Sequence, residues 1–302
     1  MTVDALTRHG AISARQTWSV RRLSSNPVLR FARAKPLGAA GAAVLILLVV
    51  TAVFADFIAP YDPILQNVPY RLRPPDESFW FGTDIYGRDV FSRVVYGARI
   101  SLYVGFASVI AGTLAGLVVG ISSGFLGGSL DLSVQRVMDA LMGFPPIVLA
   151  LILVVALGPS LNSVVLAIAV TNLPRVARLA RSSTLSIKEE TYVEAARALG
   201  CSTWRIMVRY VTPNGLTPVF VLATGLLGNA IVAEATLSFL GLGVPPPQPS
   251  WGGMLQFGVK GYLESAPWLT LFPGLALSSA VFAFALFGDA LRDVLDPRLK
   301  GR

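Results

Sequence analysis

Uncharged, apolar stretches dominate this 302-residue chain. A helix needs about 20 apolar residues to cross a hydrocarbon core. Runs long enough lie at Pro36–Ala55, Ile100–Leu130, Ala140–Pro174, Tyr210–Ala233 and Ser265–Gly288. The third is interrupted by Gly158-Pro159-Ser160, a turn signal between two helices. The pattern therefore predicts six spans, roughly 37–57, 100–122, 140–158, 163–183, 216–238 and 268–288. The fold class expected is an all-α membrane protein with six transmembrane helices, an even number that puts both ends of the chain on one side.

Composition agrees with that pattern. Asp, Glu, Lys and Arg make up 14% of the chain, against about 25% in soluble domains, and the mean hydropathy is +0.64. One cysteine, Cys201, excludes an intrachain disulfide. The single histidine, His9, lies in a polar tail, which leaves a zinc site or a Ser-His-Asp triad without its residues. No G-x-x-x-x-G-K-[ST] loop occurs, so any ATP used in transport must be bound by another subunit.

Charge sidedness orients the spans. Of 25 Lys and Arg residues, 19 fall on the side of the two termini: seven before Leu37, Arg136, seven from Arg175 to Arg209, and four from Arg292 onward. Six lie opposite, at Arg71, Arg73, Arg88, Arg93, Arg99 and Lys260. Positive charge gathers on the cytoplasmic face, so both termini are expected there. The net charge of +8 is read as this sidedness and not as nucleic-acid binding. Residues 1–30, Ser- and Arg-rich without apolar periodicity, are expected to form a disordered cytoplasmic arm. The first apolar run ends in Phe57-Ile58-Ala59-Pro60 and lacks a small-residue cleavage site, so a retained helix is expected and not a signal peptide.

Three features carry candidate mechanism. Glycine recurs every fourth residue at Gly112, Gly116, Gly120, Gly124 and Gly128. On a helix this is one smooth stripe, suited to close helix packing or to a surface that slides during a conformational change; the last two are expected beyond the span. Residues 189–200 are polar and helix-forming, with acids leading, Arg197 following and Gly200 placed to end the helix. Such a helix, with Ala195 and Ala196 on its surface, either docks in another protein's groove or connects two spans. Glu234, an acid within span five, either lines a translocation path or holds a structural hydrogen bond; Asn229 lies on a different face of the same helix. The long segments 60–99 and 244–267, rich in Pro, Trp and Tyr, either contact a partner or seal the bundle.

Glu194-Ala195-Ala196, then Gly200 after three residues and Pro213 further on, resemble the EAA loop of ABC importer permeases, whose pattern runs E-A-A-x3-G-x9-I-x-L-P. Tyr210 and Thr212 stand here where that pattern has Ile and Leu. Phe81-Gly82-Thr83-Asp84, Gly87-Arg88-Asp89, Ser92-Arg93 and Gly97-Ala98-Arg99 resemble the dipeptide/oligopeptide/nickel group of that family. So do the run from Glu234 to Gly243, Pro249-Ser250-Trp251-Gly252, and the C-terminal Asp289, Asp293 and Asp296-Pro297-Arg298. A helix ahead of a five-helix core resembles its C-type (DppC/OppC-like) subunits.

The resemblance implies a type I importer permease (MetI-like) core plus an extra N-terminal helix. The expected organisation is an arm at 1–30, a first helix and long extracytoplasmic loop at 31–98, a core at 99–290 with a coupling loop at 189–213, and a tail at 291–302. Glu194, Ala195, Ala196, Arg197, Gly200 and Pro213 are expected at the ATPase contact, with Arg197, Arg205 and Arg209 facing either acidic ATPase surface or anionic lipid. Implied partners are a B-type permease subunit as heterodimer, two ATPase domains that use ATP and Mg, and an extracytoplasmic peptide-binding protein. The chain itself is expected to bind no cofactor and to do no bond chemistry. Peptides are the substrate implied first; nickel, glutathione, haem or another small solute are alternatives. An ion-gradient transporter would favour inverted repeats and paired intramembrane charges, which the sequence does not show.

Overall fold

The computed structural model describes residues 27–295. Most of the expected N-terminal arm lies outside that range, as do the last seven residues with Asp296-Pro297-Arg298. Residues 27–30 open helix α1 (Pro27–Ala34), whose leading proline suits a first helical turn. The chain divides into a unit ending at Pro36 and a second beginning at Leu37, which holds the helical bundle.

Apart from one isolated antiparallel bridge between Thr83 and Asp89, the described residues are helices and loops. Five helical stretches are long and apolar enough to cross a membrane. They are α2 (Pro36–Val53), α4 (Val90–Leu126), α7 (Leu161–Ile187), α10 (Thr212–Phe239) with the turns that precede it, and α12 (Trp268–Leu295). The pair α5 (Gly128–Met142) and α6 (Pro146–Leu157), which meet at 94°, makes a sixth crossing if the two together count as one broken span. The short α3 (Ala55–Ile58), α8 (Thr191–Ala198), α9 (Thr203–Ile206) and α11 (Trp251–Val259) occupy the connections.

Three boundaries differ from the sequence expectation. Helix α4 starts ten residues early, because the Asp89 carboxylate caps it by accepting from the Ser92 amide at 2.8 Å. Its 37 residues reach about 55 Å at 1.5 Å each, well beyond the hydrocarbon core. The third span is not a straight helix over 140–158. Gly143, Phe144 and Pro145 break it, leaving 12 residues of α6, about 18 Å long. Residues 203–213, expected within a loop, are helical and include a π-turn at Met207–Val211 that closes when the Thr212 amide donates to the Met207 carbonyl.

Helices α4 and α7 form the spine of the bundle. A Cβ on Gly112 would stand 2.7 Å from the Ala169 carbonyl oxygen, on Gly116 3.0 Å from that of Leu173, and on Gly124 3.1 Å from that of Arg181. Gly120 meets the Ala177 carbonyl in the same way. The offset is 57 residues at every step, so the two helices run parallel with one backbone laid on the other. Gly124, expected beyond the span, is the fourth rung; Gly128 instead begins α5. Because α4 and α7 run the same way, α5 and α6 must carry the chain back between them. Asp131 of α5 accepts two hydrogen bonds from Arg181, at 2.7 and 2.6 Å, and Asp139 pairs with Arg178, which ties α5 to the later half of α7.

Candidate functional site

Helix α8 sits at the end of α4 and α7 that carries Gly124 and Arg181. Val193 and Ala196 are buried in the main core with Ile121, Ile206 and Met207, and Phe125 packs against that core. The Arg197 guanidinium lies 5.9 Å from the Phe125 ring. The helix ends because Gly200 turns left-handed, with φ +78°, letting its amide donate to Arg197 O at 3.0 Å and that of Cys201 to Ala196 O at 3.1 Å. On the outward face Glu194, Ala195, Arg197 and Leu199 are exposed, as are Arg205 and Arg209 beyond the turn. Ala196 thus departs from the surface position expected for it: the 193/196 face turns into the chain's own core. Pro213 is exposed in the first turn of α10, directly after the π-turn.

Asn229 and Glu234 part company. Asn229 is exposed and lines a cavity of about 860 Å³ between α7, α10 and α12, with Arg175, Asn214, Thr217, Asp289 and Arg292 on its walls. Glu234 is fully buried. Ser101 of α4 donates to its Oε2 at 3.0 Å and Ser238 to its Oε1 at 2.7 Å. Hydroxyls from two helices meet on one carboxylate, an arrangement that suits the structural one of the two readings of this residue.

The opposite end of α4 carries a continuous polar lattice. Asp84 accepts from Arg88 Nε at 2.6 Å, and Arg93 Nε lies 3.6 Å from the same carboxylate oxygen. Arg93 Nη1 also donates to the Pro63 carbonyl at 2.7 Å. The Trp251 indole donates to Val94 O at 3.0 Å across the space left by Gly97, and that of Trp268 to Thr83 O at 3.1 Å. In the loop, the Phe79 amide, with Ser78 and Arg73 adding to it, holds the Asp76 carboxyl below the usual carboxylate range. No group of three His, Cys, Asp or Glu gathers at metal-binding distance among the described residues.

Residues 116–301 match the model of the binding-protein-dependent transport system inner membrane component family. This chain belongs to that family. Residues 28–75 also match the N-terminal transmembrane domain of oligopeptide transport permease C. The dipeptide transport system permease protein DppC of Alkalihalophilus pseudofirmus is 41% identical over 264 residues, 87% of this chain and 86% of that one. A putative peptide transport system permease of Brucella suis is 44% identical over 260 residues, covering 86% and 87%. The glutathione transport system permease GsiD of Pectobacterium atrosepticum is 40% identical over 272 residues, covering 90% of each chain. Among solved structures, a chain of the MetNI methionine ABC transporter in an inward-facing conformation superposes with a TM-score of 0.55. It is 22% identical and is covered over 96% of its length, against 68% of this chain, and it supports the fold.

Within this family of permeases, the sequence motifs of the dipeptide/oligopeptide/nickel group acquire a physical role. Asp84, Arg88, Arg93, Glu234, Ser238, Ser250 and Trp251 are parts of one assembly at one end of the bundle. The signal was present, in polar residues embedded among apolar ones, but the partners stand more than 130 residues apart in the chain.

Proposed function

We propose that this chain is the C-type permease subunit of an ATP-driven importer of di- and oligopeptides, forming half of the translocation path. The observation that carries the reading is α8: a helix held to the core by Val193 and Ala196 while Glu194, Arg197 and Leu199 face outward at the end of the spine. A surface of that kind receives force from a docked protein and delivers it to α4 and α10. On this reading the α8 end is cytoplasmic, in keeping with the Lys and Arg distribution, and the 60–89 segment is extracytoplasmic. The chain binds no cofactor; ATP and Mg are used by two partner ATPase domains, and a B-type permease completes the path. The domain boundaries expected from the sequence belong to the same proposal, as does Asn229 in the cavity beside α10. The names of relatives support peptides as substrate, and glutathione is itself a tripeptide.

The test is a detergent pull-down of the tagged chain, with ATP hydrolysis measured with and without a peptide-loaded binding protein. Stimulated hydrolysis supports the importer and its substrate. Absence of any co-purifying ATPase across several lipid conditions refutes it.

A further inference from the structure

The loop-rich end contains a cavity of about 440 Å³ lined by Tyr86, Arg88, Arg93, Ser238, Gln248 and Gln256, with no acidic residue on its wall. That volume suits a small organic ligand. Both arginines are at least nine-tenths buried. Arg88 donates through Nε to Asp84, and its guanidinium carbon lies 4.6 Å from the Tyr86 ring. Its two terminal amino groups donate to no group among the described residues. Arg93 is better satisfied, through the Pro63 carbonyl. Arg88 lies on the cavity wall with these groups unpaired, and a guanidinium's preferred acceptor is a carboxylate held by two parallel bonds.

No side-chain carboxylate among the described residues fills that role. Asp84 is shared between the two arginines. Asp89 Oδ2 is engaged with Ser92, and Asp89 is not on the cavity wall. Glu234 is not on the cavity wall and accepts from Ser101 and Ser238. Asp84 balances one of the two guanidinium charges, and the amides of Gln248 and Gln256 can receive a peptide group.

We propose that this cavity binds the C-terminal carboxylate of a short peptide, with Arg88 as the principal ligand and Arg93 beside it, before the peptide passes between the helices. The proposal rests on the peptide-importer reading for the identity of its ligand. It adds a recognition step in the permease, separate from any made by a binding protein.

The experiment uses the assembled importer in nanodiscs, without binding protein, and saturation-transfer NMR with N-acetyl-dialanine and its C-terminal amide. The acid should give a saturable signal at least tenfold stronger than the amide. Arg88→Gln should abolish that preference. Gln256→Leu, which leaves the Asp84–Arg88 pair intact, should weaken binding of the acid severalfold at unchanged melting temperature. Equal signals from acid and amide, or an acid signal that survives both substitutions, would overturn the site. Arg88-dependent acid binding in an importer that takes up no peptide would sink the substrate reading and keep the site. Peptide uptake without acid preference in the nanodisc would do the reverse.

Discussion

Gly112→Ala tests the spine most directly. The added methyl would sit 2.7 Å from the Ala169 carbonyl oxygen, about 0.7 Å inside the 3.4 Å at which ordinary contact begins. Neither partner can yield alone, since the obstacle is backbone and the same register repeats at Gly116, Gly120 and Gly124. The helices must separate, and a gap of 0.5–1 Å forfeits roughly a quarter to a half of each dispersion contact along the seam. Overpacking of this kind costs about 1–3 kcal/mol, against a helix-propensity gain of up to about 1 kcal/mol for replacing Gly. A net loss of about 1–2 kcal/mol is expected. Gly215→Ala is the control: it also lies within a helix, but its nearest neighbour would be Ile187 Cδ1 at 3.7 Å, so it should be neutral or stabilising. Heating the detergent-purified protein and following the folded fraction by size exclusion should separate the two variants by several degrees. Adding Gly116→Ala to Gly112→Ala should cost less than the sum, because the first methyl has already parted the helices. A Gly112→Ala protein as heat-stable as Gly215→Ala would refute backbone-on-backbone packing.

Other substitutions probe the two ends. Glu194→Lys should leave membrane insertion intact and uncouple ATP hydrolysis from uptake; Gly200→Leu should do the same with an added backbone cost of about 1–2 kcal/mol for its left-handed φ. Unchanged uptake in both would remove α8 from the coupling path. Glu234→Leu strands the hydroxyls of Ser101 and Ser238 and should cost about 1–3 kcal/mol, whereas Glu234→Gln should retain most of the stability; equal melting temperatures would argue against the joint. Asp76 titrates below its ordinary value because backbone amides stabilise the carboxylate. Its contribution is therefore complete above about pH 4 and lost as pH falls through the depressed value. Hydrogen exchange at Ser78 and Phe79, corrected for intrinsic rate, should stay constant from about pH 7 to 5 and rise only below about pH 4; loosening in the upper range would contradict the assignment.

The spans were legible because lipid demands a one-dimensional property, a run of apolar residues. The helical character of 191–198 and its stop at Gly200 were legible because propensity and left-handed backbone are local. What escaped was set by partners distant in sequence. Nothing within residues 189–200 says that Ala196 packs inward, because that depends on Ile206 and Met207 beyond the turn. Nothing near Glu234 distinguishes a path residue from a joint, because one donor, Ser101, is 133 residues away. The early start of α4 did leave a local sign in the Asp89 cap, but charged residues at Arg93 and Arg99 masked it under a hydropathy criterion.

The glycine stripe has two readings, a packing seam and a sliding surface, and its contacts favour the first. A sliding seam needs side chains that can ride over one another, whereas here carbonyl oxygens fill the places a Cβ would take at four consecutive rungs. The later half of α7 is also tied to α5 by the paired hydrogen bonds of Arg181 with Asp131. On the packing reading the α4–α7 pair would move as one rod. Compliance must lie elsewhere, and α10 has the means for it: a π-turn at Met207–Val211, Pro218 within the helix, and Gly225, beside which a Cβ would meet nothing within 4 Å. Residues of α8 and α10 share one hydrophobic core with α4 and α7, so on the proposed reading a pull on α8 would reach the pair and α10 together. Arg93 and Ser101 lie in the first turns of α4, so the polar lattice and its cavity stand at the end of the pair away from α8.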